Sequence, residues 1–450
     1  MNSKKTKTFP QGGIHPADDK LSANAPIMDL PVPEKAVVVL AQHIGKPAAL
    51  VAQPGQTLKV GDLIAQAHGF ISTNVHAPVS GTVETLDRVM DQSGFKKQAV
   101  IIKTDGDHWR DDIDRSPTIK ADISADRETI VQKVNQAGII GMGGAGFPSH
   151  VKLTVPKGKN LEYLLINGAE CEPYLTSDHR LMLEKADELI VGIKILIKAL
   201  GLTKALVGIE DNKKDAIARL LKACANEPSV EIHPLKVFYP QGGERQLVKA
   251  LTGREIPPPP KGLPIDVGCA VFNVSTAVAV YEAVQKNKPC VDRIVTVTGP
   301  AIARPSNFRV RIGTSIADLI KAAGGLPENT GKVLSGGPMM GKALAQIDIP
   351  VTKTMGGIVI LPHGQALRRP IQACIRCGRC VSICPLGLEP YLMMALTEKG
   401  MYDRAQDERV ASCCECGCCG YICPAGRPLV DYIRLGKSIV TQKMKSQKKS

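Results

Sequence analysis

Two stretches near the C-terminus decide the fold: Cys374-Ile-Arg-Cys377-Gly-Arg-Cys380-Val-Ser-Ile-Cys384-Pro385 and Cys413-Cys-Glu-Cys416-Gly-Cys-Cys419-Gly-Tyr-Ile-Cys423-Pro424. Each has three cysteines two residues apart, then Cys-Pro. Three thiolates at that spacing wrap one loop around one cubane, and the fourth, on the departing segment, reaches the other. The spacing predicts two [4Fe–4S] clusters. Cys374, Cys377, Cys380 and Cys423 hold the first; Cys413, Cys416, Cys419 and Cys384 hold the second. Structural zinc uses two separated Cys-x-x-Cys pairs and has no use for the third cysteine or the Cys-Pro. Cys414 and Cys418 are surplus and read as small buried apolar groups, or as alternative ligands during assembly. Cys171, Cys224, Cys269 and Cys290 lack mutual spacing and read mostly as inert core residues.

Working outward, ten of the 14 cysteines lie between Cys374 and Cys423 of a chain of 450 residues. Such clustering points to metal ligation in a reducing compartment, not to a disulfide scaffold. The length suggests about three domains. An apolar content of 44% with 22% charged residues excludes wholesale disorder. The formal charge is +14, but aromatics are 4% and Trp109 is the single tryptophan. Single-strand nucleic-acid binders need stacking platforms, so no nucleic-acid partner is read. Lys4, Lys5 and Lys7 are followed by Pro10 and Gly12, not by the apolar core of a signal peptide. The longest apolar run, Val267 to Tyr281, contains Asn273, Ser275 and Thr276, so no transmembrane segment is expected.

Residues 1–30 read as an extended arm. Residues 31–110 carry short strands punctuated by Pro54-Gly55, Val60-Gly61 and Pro78 to Gly81. They resemble the biotinyl/lipoyl hairpin sandwich, but Gln66 to His76 offers no attachment lysine, so the module is structural. Residues 120–288 alternate helix and strand, implying a largely parallel sheet. The spacing predicts helices over 126–137, 177–200 and 213–225, with Ser177 as an N-cap, and strands over 161–166, 204–209 and 230–238. Pro257 to Pro260 reads as a rigid loop. Residues 289–365 read as a small α+β unit and 366–432 as mostly helical between cysteine loops. Residues 433–450 read as a disordered basic tail bearing Lys437, Lys443, Lys445, Lys448 and Lys449. With these lysines and those of the arm, the basicity sits at the ends. There it suits an anionic membrane surface or an acidic partner.

Gly141-Met-Gly143-Gly144-Ala-Gly146-Phe147-Pro148 formally contains G-x-G-x-x-G, but a helical pattern precedes it where a Rossmann fold has a strand. A tight structural turn is one reading. A cradle for a phosphate or flavin edge is the other, because four glycines allow close backbone approach and Lys152 supplies a point charge. The strand over 161–166 runs into Asn167-Gly-Ala-Glu170-Cys171-Glu172-Pro173, where α/β ligands sit. Tyr239-Pro-Gln-Gly242-Gly243-Glu244-Arg245 and Val271-Phe-Asn273-Val-Ser-Thr276 follow. His150 and His179 read as structural.

Taken in order, these segments resemble the flavin- and NADH-binding subunit of respiratory complex I. With the hairpin sandwich and the two-cluster tail, roughly residues 10–435 resemble the C subunits of Rnf complexes. The resemblance implies a multidomain α/β chain: barrel-sandwich-like β domain, α/β FMN/NAD-binding domain, β-grasp domain, and a helical ferredoxin-type domain with two clusters. It implies that Gly141, Gly143, Lys152, Asn167, Glu170, Asn273 and Thr276 surround FMN, with Gly144 and Gly146 in the same loop. Phe147, Glu172 and Glu244 would lie near NAD(H). It further implies an ion-translocating ferredoxin:NAD+ oxidoreductase. The chain would be peripheral, on the cytoplasmic face of the membrane, working with a ferredoxin-like carrier and the other subunits of the complex. Met142, Ala169, Cys171 and Gly243 depart from the complex I pattern, and several of those changes remove charges. Two alternatives stay open: a soluble NADH-dependent cobalamin reductase, and an electron-wire subunit with a degenerate flavin site.

Overall fold

The computed structural model describes residues 6–258 and 262–447. Lys4, Lys5, Pro259, Pro260, Lys448 and Lys449 lie outside the described residues.

The first body is a two-sheet sandwich. Lys35–Val39, Lys96–Thr104, Gly81–Met90 and Thr57–Leu58 form one sheet; Ala49–Leu50, Leu63–Gln66 and Val75–His76 form the other. Alternating Ala36, Val38, Val100 and Ile102 fill the interior, as a half-buried strand demands. The hairpin between Leu63–Gln66 and Val75–His76 is closed on itself: Ser72 Oγ accepts from the His68 amide at 3.0 Å and Asn74 Oδ1 from the Ala67 amide at 2.9 Å. Asn74 also donates to the Gln136 carbonyl, so the tip is docked on the next body.

That body carries a four-stranded parallel sheet in the order Val230–Leu235, Ala205–Glu210, Tyr163–Asn167, Cys269–Asn273. Helices Ala186–Leu200 and Val274–Lys286 cover it and cross closely. A Cβ on Gly192 would fall 2.0 Å from the Ala277 carbonyl, so glycine is required there. The single helix expected over 177–200 is two, Ser177–Glu184 and Ala186–Leu200, broken at Lys185 (φ −121°, ψ 30°). The N-cap is Thr176, not Ser177, and it makes no side-chain cap bond.

The third body is a six-stranded mixed sheet in the order Ile27–Asp29, Ser306–Arg311, Asp292–Thr298, Gly357–Pro362, Thr330–Ser335, Lys342–Ala343, with helix Ile316–Ala322. Its edge strand comes from the N-terminal arm, which pairs in parallel with Ser306–Arg311. The arm therefore belongs to the core architecture. Ile14 also exchanges backbone hydrogen bonds with Tyr239 at 2.9 Å.

In the last body, short helices Arg379–Ser382 and Cys418–Ile422 follow the two cysteine loops, and Pro390–Glu398 packs on Leu429–Gln447. The disordered tail expected over 433–450 is corrected here, because a helix runs to Gln447. Leu429, Ile433, Gly436 and Val440 are buried at helical spacing on one face. A Cβ on Gly436 would meet Thr397 Oγ1 at 2.3 Å, which shows how close the two helices lie. Lys437 donates to the Cys413 carbonyl and to Glu415, and Lys443 pairs with Asp403. The run of lysines without acids had hidden this apolar stripe.

Candidate functional site

Strand order reverses beside Tyr163–Asn167: the chain adds two strands on one flank, then places Cys269–Asn273 on the other. Such a reversal leaves a crevice beyond the carboxyl ends of the two central strands, where open α/β sheets bind ligands. Asn167 and Asn273 end these strands as register partners. Asn167 donates to the Gly242 carbonyl at 2.8 Å and accepts from the Ala169 amide at 3.2 Å. Asn273 caps helix Val274–Lys286 by accepting from the Ser275 amide at 2.8 Å.

The glycine loop closes over this crevice. The Gly141 amide donates to Phe147 O at 2.8 Å and the Gly146 amide to Gly141 O at 3.1 Å. Thr276 Oγ1 accepts from the Met142 amide at 2.9 Å, pinning the loop to the helix behind Asn273. Gly143 lies against Asn273, since an added Cβ would come within 3.3 Å of the Asn273 Cβ. Gly144 (φ +107°) and Gly146 (φ +67°) take left-handed backbone that favours glycine. Among the described residues, the amides of Gly143, Gly144 and Ala145 donate to no protein acceptor. All three residues are exposed, while Phe147 is half-buried beside them. Consecutive free amides of this kind favour an anion or the acceptor edge of a flavin. Lys152 donates to the Val271 carbonyl at 3.0 Å and stands 3.7 Å from Glu244, which is exposed at the start of helix Glu244–Thr252. A positive group is therefore held at the mouth of the crevice.

Asp178 was not singled out in the sequence. Its carboxylate accepts from Asn273 Nδ2 and Ser275 Oγ, both at 2.7 Å. Burial, then the neighbouring Glu170 carboxylate, pushes it up to about 6. Glu170 turns from the crevice to cap helix Ser177–Glu184, accepting from the Asp178 amide at 2.7 Å and the His179 amide at 3.0 Å. Its oxygens therefore serve a helix N-terminus. Arg293 reaches in from the third body, donating to the Met355 and Met142 carbonyls.

The loop after Asn167 is held from below. Lys20, on the arm, donates to the carbonyls of Glu170, Glu172 and Leu175, each at 2.8 Å. Lys213 donates to the Ala169 carbonyl at 2.7 Å. Glu170 (φ +47°) and Tyr174 (φ +69°) are strained in this loop, and such conformations persist only where surrounding contacts over-determine them. Glu172 does not share partners with Glu244. Its carboxylate accepts from the Met339 and Met340 amides at 3.1 and 2.8 Å, and burial pushes it up to about 7.

The two cysteine runs repeat one backbone shape. Arg376 (φ +55°) and Gly378 (φ +70°) flank Cys377 as Glu415 (φ +60°) and Gly417 (φ +83°) flank Cys416. The Leu388 amide donates to Cys384 Sγ at 3.4 Å and the Glu415 amide to Cys413 Sγ at 3.3 Å, as suits thiolate ligands. The Cys380 thiol is raised by burial and by the nearby Cys423 and Cys374; Cys419 is raised by burial and by Cys413 and Cys384. Among the described residues no three His, Cys, Asp or Glu converge as they would on a single ion. A four-iron cube holds its thiolates at separate corners, farther apart than the ligands of one ion. The runs differ in exposure: Cys374 and Cys377 are exposed, whereas Cys416, Cys418 and Cys419 are buried. Cys171, also outside the ligand pattern, packs with Tyr239, Cys414, Cys416 and Cys418 and so joins the crevice side to the second run.

Four family models match successive parts of the chain: an RnfC barrel sandwich hybrid domain over residues 7–107, the Nuo51 FMN-binding domain over 134–282, an SLBB domain over 294–343, and a 4Fe-4S dicluster domain over 366–424. The C subunit of the proton-translocating ferredoxin:NAD(+) oxidoreductase complex of Clostridium ljungdahlii is 44% identical, covering 96% of this chain and 94% of that protein. The chain belongs to this RnfC family. The RnfC-type counterpart in the Na(+)-translocating complex of Acetobacterium woodii is 42% identical over 97% of this chain and 98% of its own length. The RnfC-type protein of the ion-translocating oxidoreductase complex of Rhodobacter capsulatus is 41% identical over 96% of this chain and 83% of its own. The chain is thus a multidomain α/β protein with barrel-sandwich, FMN-binding, SLBB and 4Fe-4S parts. Among the described residues no helix is long and apolar enough to cross a membrane.

Of the residues singled out in the sequence, Gly141, Gly143, Gly144, Gly146, Phe147, Asn167, Asn273 and Thr276 come together at one crevice, with Lys152 and Glu244 at its mouth. The carboxylates of Glu170 and Glu172 are taken up by backbone amides, those of Asp178 and His179 and those of Met339 and Met340. Lys20, Asp178 and Arg293 were missed. Only Asp178 carried a signal, as an acid in the first turn of an expected helix.

Proposed function

We propose that this chain is the electron-input and -output subunit of a membrane-bound, ion-translocating oxidoreductase, passing electrons between reduced ferredoxin and NAD(H) through FMN and two [4Fe–4S] clusters. The observation that carries the reading is the row of free amides on the glycine loop, held over the strand-order reversal at Asn167 and Asn273. Bound there, FMN would exchange a hydride with NAD(H) and single electrons with the clusters. Gly143, Gly144 and Ala145 would donate to it, and Gly141, Gly146, Asn167, Asn273 and Thr276 would shape the crevice. Lys152 would face a phosphate, and Phe147 and Glu244 would border the nicotinamide nucleotide. Glu170 and Glu172 would act indirectly, by fixing the loop that bears them.

Cys374, Cys377, Cys380 and Cys423 would hold one cluster and Cys413, Cys416, Cys419 and Cys384 the other. The proximities of Cys380 to Cys423 and of Cys419 to Cys384 favour this crossed arrangement. In domain terms we read an arm (1–30), a barrel-sandwich-like domain (31–110), the flavin domain (120–288), a β-grasp unit (289–365) and a helical ferredoxin-type domain from 366. That last domain continues through the C-terminal helix. The protein would sit peripherally on the cytoplasmic face of the membrane, bound to the other subunits of the complex.

The test is iron, sulfide and flavin quantification on anaerobically purified protein, followed by NADH titration. Flavin absorbance bleached by NADH is expected. Protein that cannot be reconstituted with FMN would leave the electron-wire alternative standing.

A further inference from the structure

The first cysteine run lies on the surface of the molecule. Every residue from Leu367 to Arg379 is exposed, Cys374 and Cys377 included. Leu367, Ile371 and Ile375 are 65%, 62% and 68% exposed, among the largest apolar exposures in the described chain. Arg368, Arg369, Arg376 and Arg379 stand among them, and no acid occurs between Asp348 and Glu389. The segment is anchored all the same. Gln372 N donates to Ala425 O at 2.9 Å, Arg368 pairs with Asp431, and Gly426 packs under the Pro370 carbonyl. The second run is its opposite, buried against Tyr239, Met339 and Ile14.

A fixed face that is apolar at its centre, ringed by arginines and wrapped around thiolates needs a cover. An exposed apolar patch with a polar rim is the form of a protein docking site, and this rim is rich in arginine, with Asp431 beside Arg368. We infer that the surface of Leu367, Arg368, Arg369, Ile371, Ile375 and Arg376 docks an acidic protein carrying a one-electron centre. Electrons then cross the chain from this first run, through the buried second run, to the crevice side at Tyr239 and Cys171. This deepens, and rests on, the reading proposed above. The step is a bare electron transfer: the docked protein is oxidised by one electron and the iron–sulfur centre behind Cys374 and Cys377 is reduced by one. No bond forms and no proton moves. Charge complementarity selects an acidic protein: opposite potentials speed encounter, and the apolar centre sets register once the two meet.

The experiment uses the full anaerobic holoprotein and a dithionite-reduced, acidic two-cluster ferredoxin as the probe, mixed in a stopped-flow at several salt concentrations. For wild type, the second-order rate should fall steeply with salt. Arg368→Glu with Arg369→Glu should lower the low-salt rate by about tenfold or more, and the difference should close at high salt. Iron and sulfide content should hold, because the Gln372–Ala425 bond and the packing of Gly426 on Pro370 keep the segment in place without the Arg368–Asp431 pair, and NADH reduction of ferricyanide should not change. If the double variant loses iron, Arg369→Gln alone provides the test, with a smaller loss of the same salt dependence. Equal rates and equal salt slopes in variant and wild type would overturn the inference. So would wild-type binding to vesicles of phosphatidylserine and phosphatidylcholine that the double variant abolishes while its ferredoxin rate stands. Failure of NADH to reduce ferricyanide in wild type would count against the flavin reading instead, leaving the docking result to be read separately.

Discussion

Tyr239 Oη donates to the carbonyl oxygen of Cys416 at 2.7 Å, and this bond joins the Tyr239–Glu244 turn to the second cysteine run. Tyr239 is only 2% exposed, and its ring is surrounded by Cys171, Cys416 and Cys418. On the far side of that run, a Cβ on Gly417 would meet the Met339 carbonyl at 2.7 Å, while the Met339 amide holds Glu172. Three bodies therefore meet at one loop. Tyr239→Phe should leave the fold intact but strip the Cys416 carbonyl of its partner, at a cost of about 1–3 kcal/mol. The expected result is faster loss of one cluster's signal on anaerobic incubation with a chelator, followed by electron paramagnetic resonance. Unchanged kinetics would show that the loop is held by packing alone.

Lys20→Met should leave three carbonyls of the 170–175 loop unpaired at once. Amide hydrogen exchange in that loop should rise by an order of magnitude or more in the flavin-free protein, with the sandwich strands unaffected. Lys20→Arg, which keeps the charge and several donors, should recover part of the protection.

Gly143→Val tests the crevice without straining the backbone, because Gly143 does not take positive φ. The side chain would crowd Asn273 and cover the free amides. FMN affinity, measured by quenching of flavin fluorescence, should fall at least about tenfold, equivalent to about 1.4 kcal/mol. The denaturation midpoint should shift little.

Glu172 gives a signed pH dependence. Burial raises its folded-state value from 4.5 to about 7, so the folded state binds the proton more tightly than the unfolded chain. Its contribution to stability is complete below the unfolded value and is lost as pH rises through the folded one. Denaturant midpoints taken anaerobically should decline between about pH 5 and pH 7, and Glu172→Gln should flatten that decline.

Cysteine replacement tests the crossed ligand sets. Cys384→Ala should perturb the same cluster signal as Cys413→Ala, and Cys423→Ala the same signal as Cys374→Ala. The opposite pairing of spectra would reassign the fourth ligands.

The sequence by itself determined the parts whose physics is local. Thiolate spacing, the glycine run of the Gly141–Phe147 loop and the apolar strand before Asn167 each depend on neighbours a few residues away. They were legible without coordinates. The C-terminal helix was legible in principle too, through Leu429, Ile433, Gly436 and Val440, but its lysines masked the period. The tertiary structure decided the rest. Strand order placed Asn273 beside Asn167 and so created the crevice, and nothing in either strand's composition encodes which flank it takes. Lys20 meets Glu170 across a sequence separation of 150 residues, and Tyr239 meets Cys416 across 177. The direction of Glu170 and Glu172 was likewise unreadable. A carboxylate next to a helix start or a free amide turns to whichever donor the fold brings nearest, and that donor is chosen by packing between bodies rather than by the residues beside it.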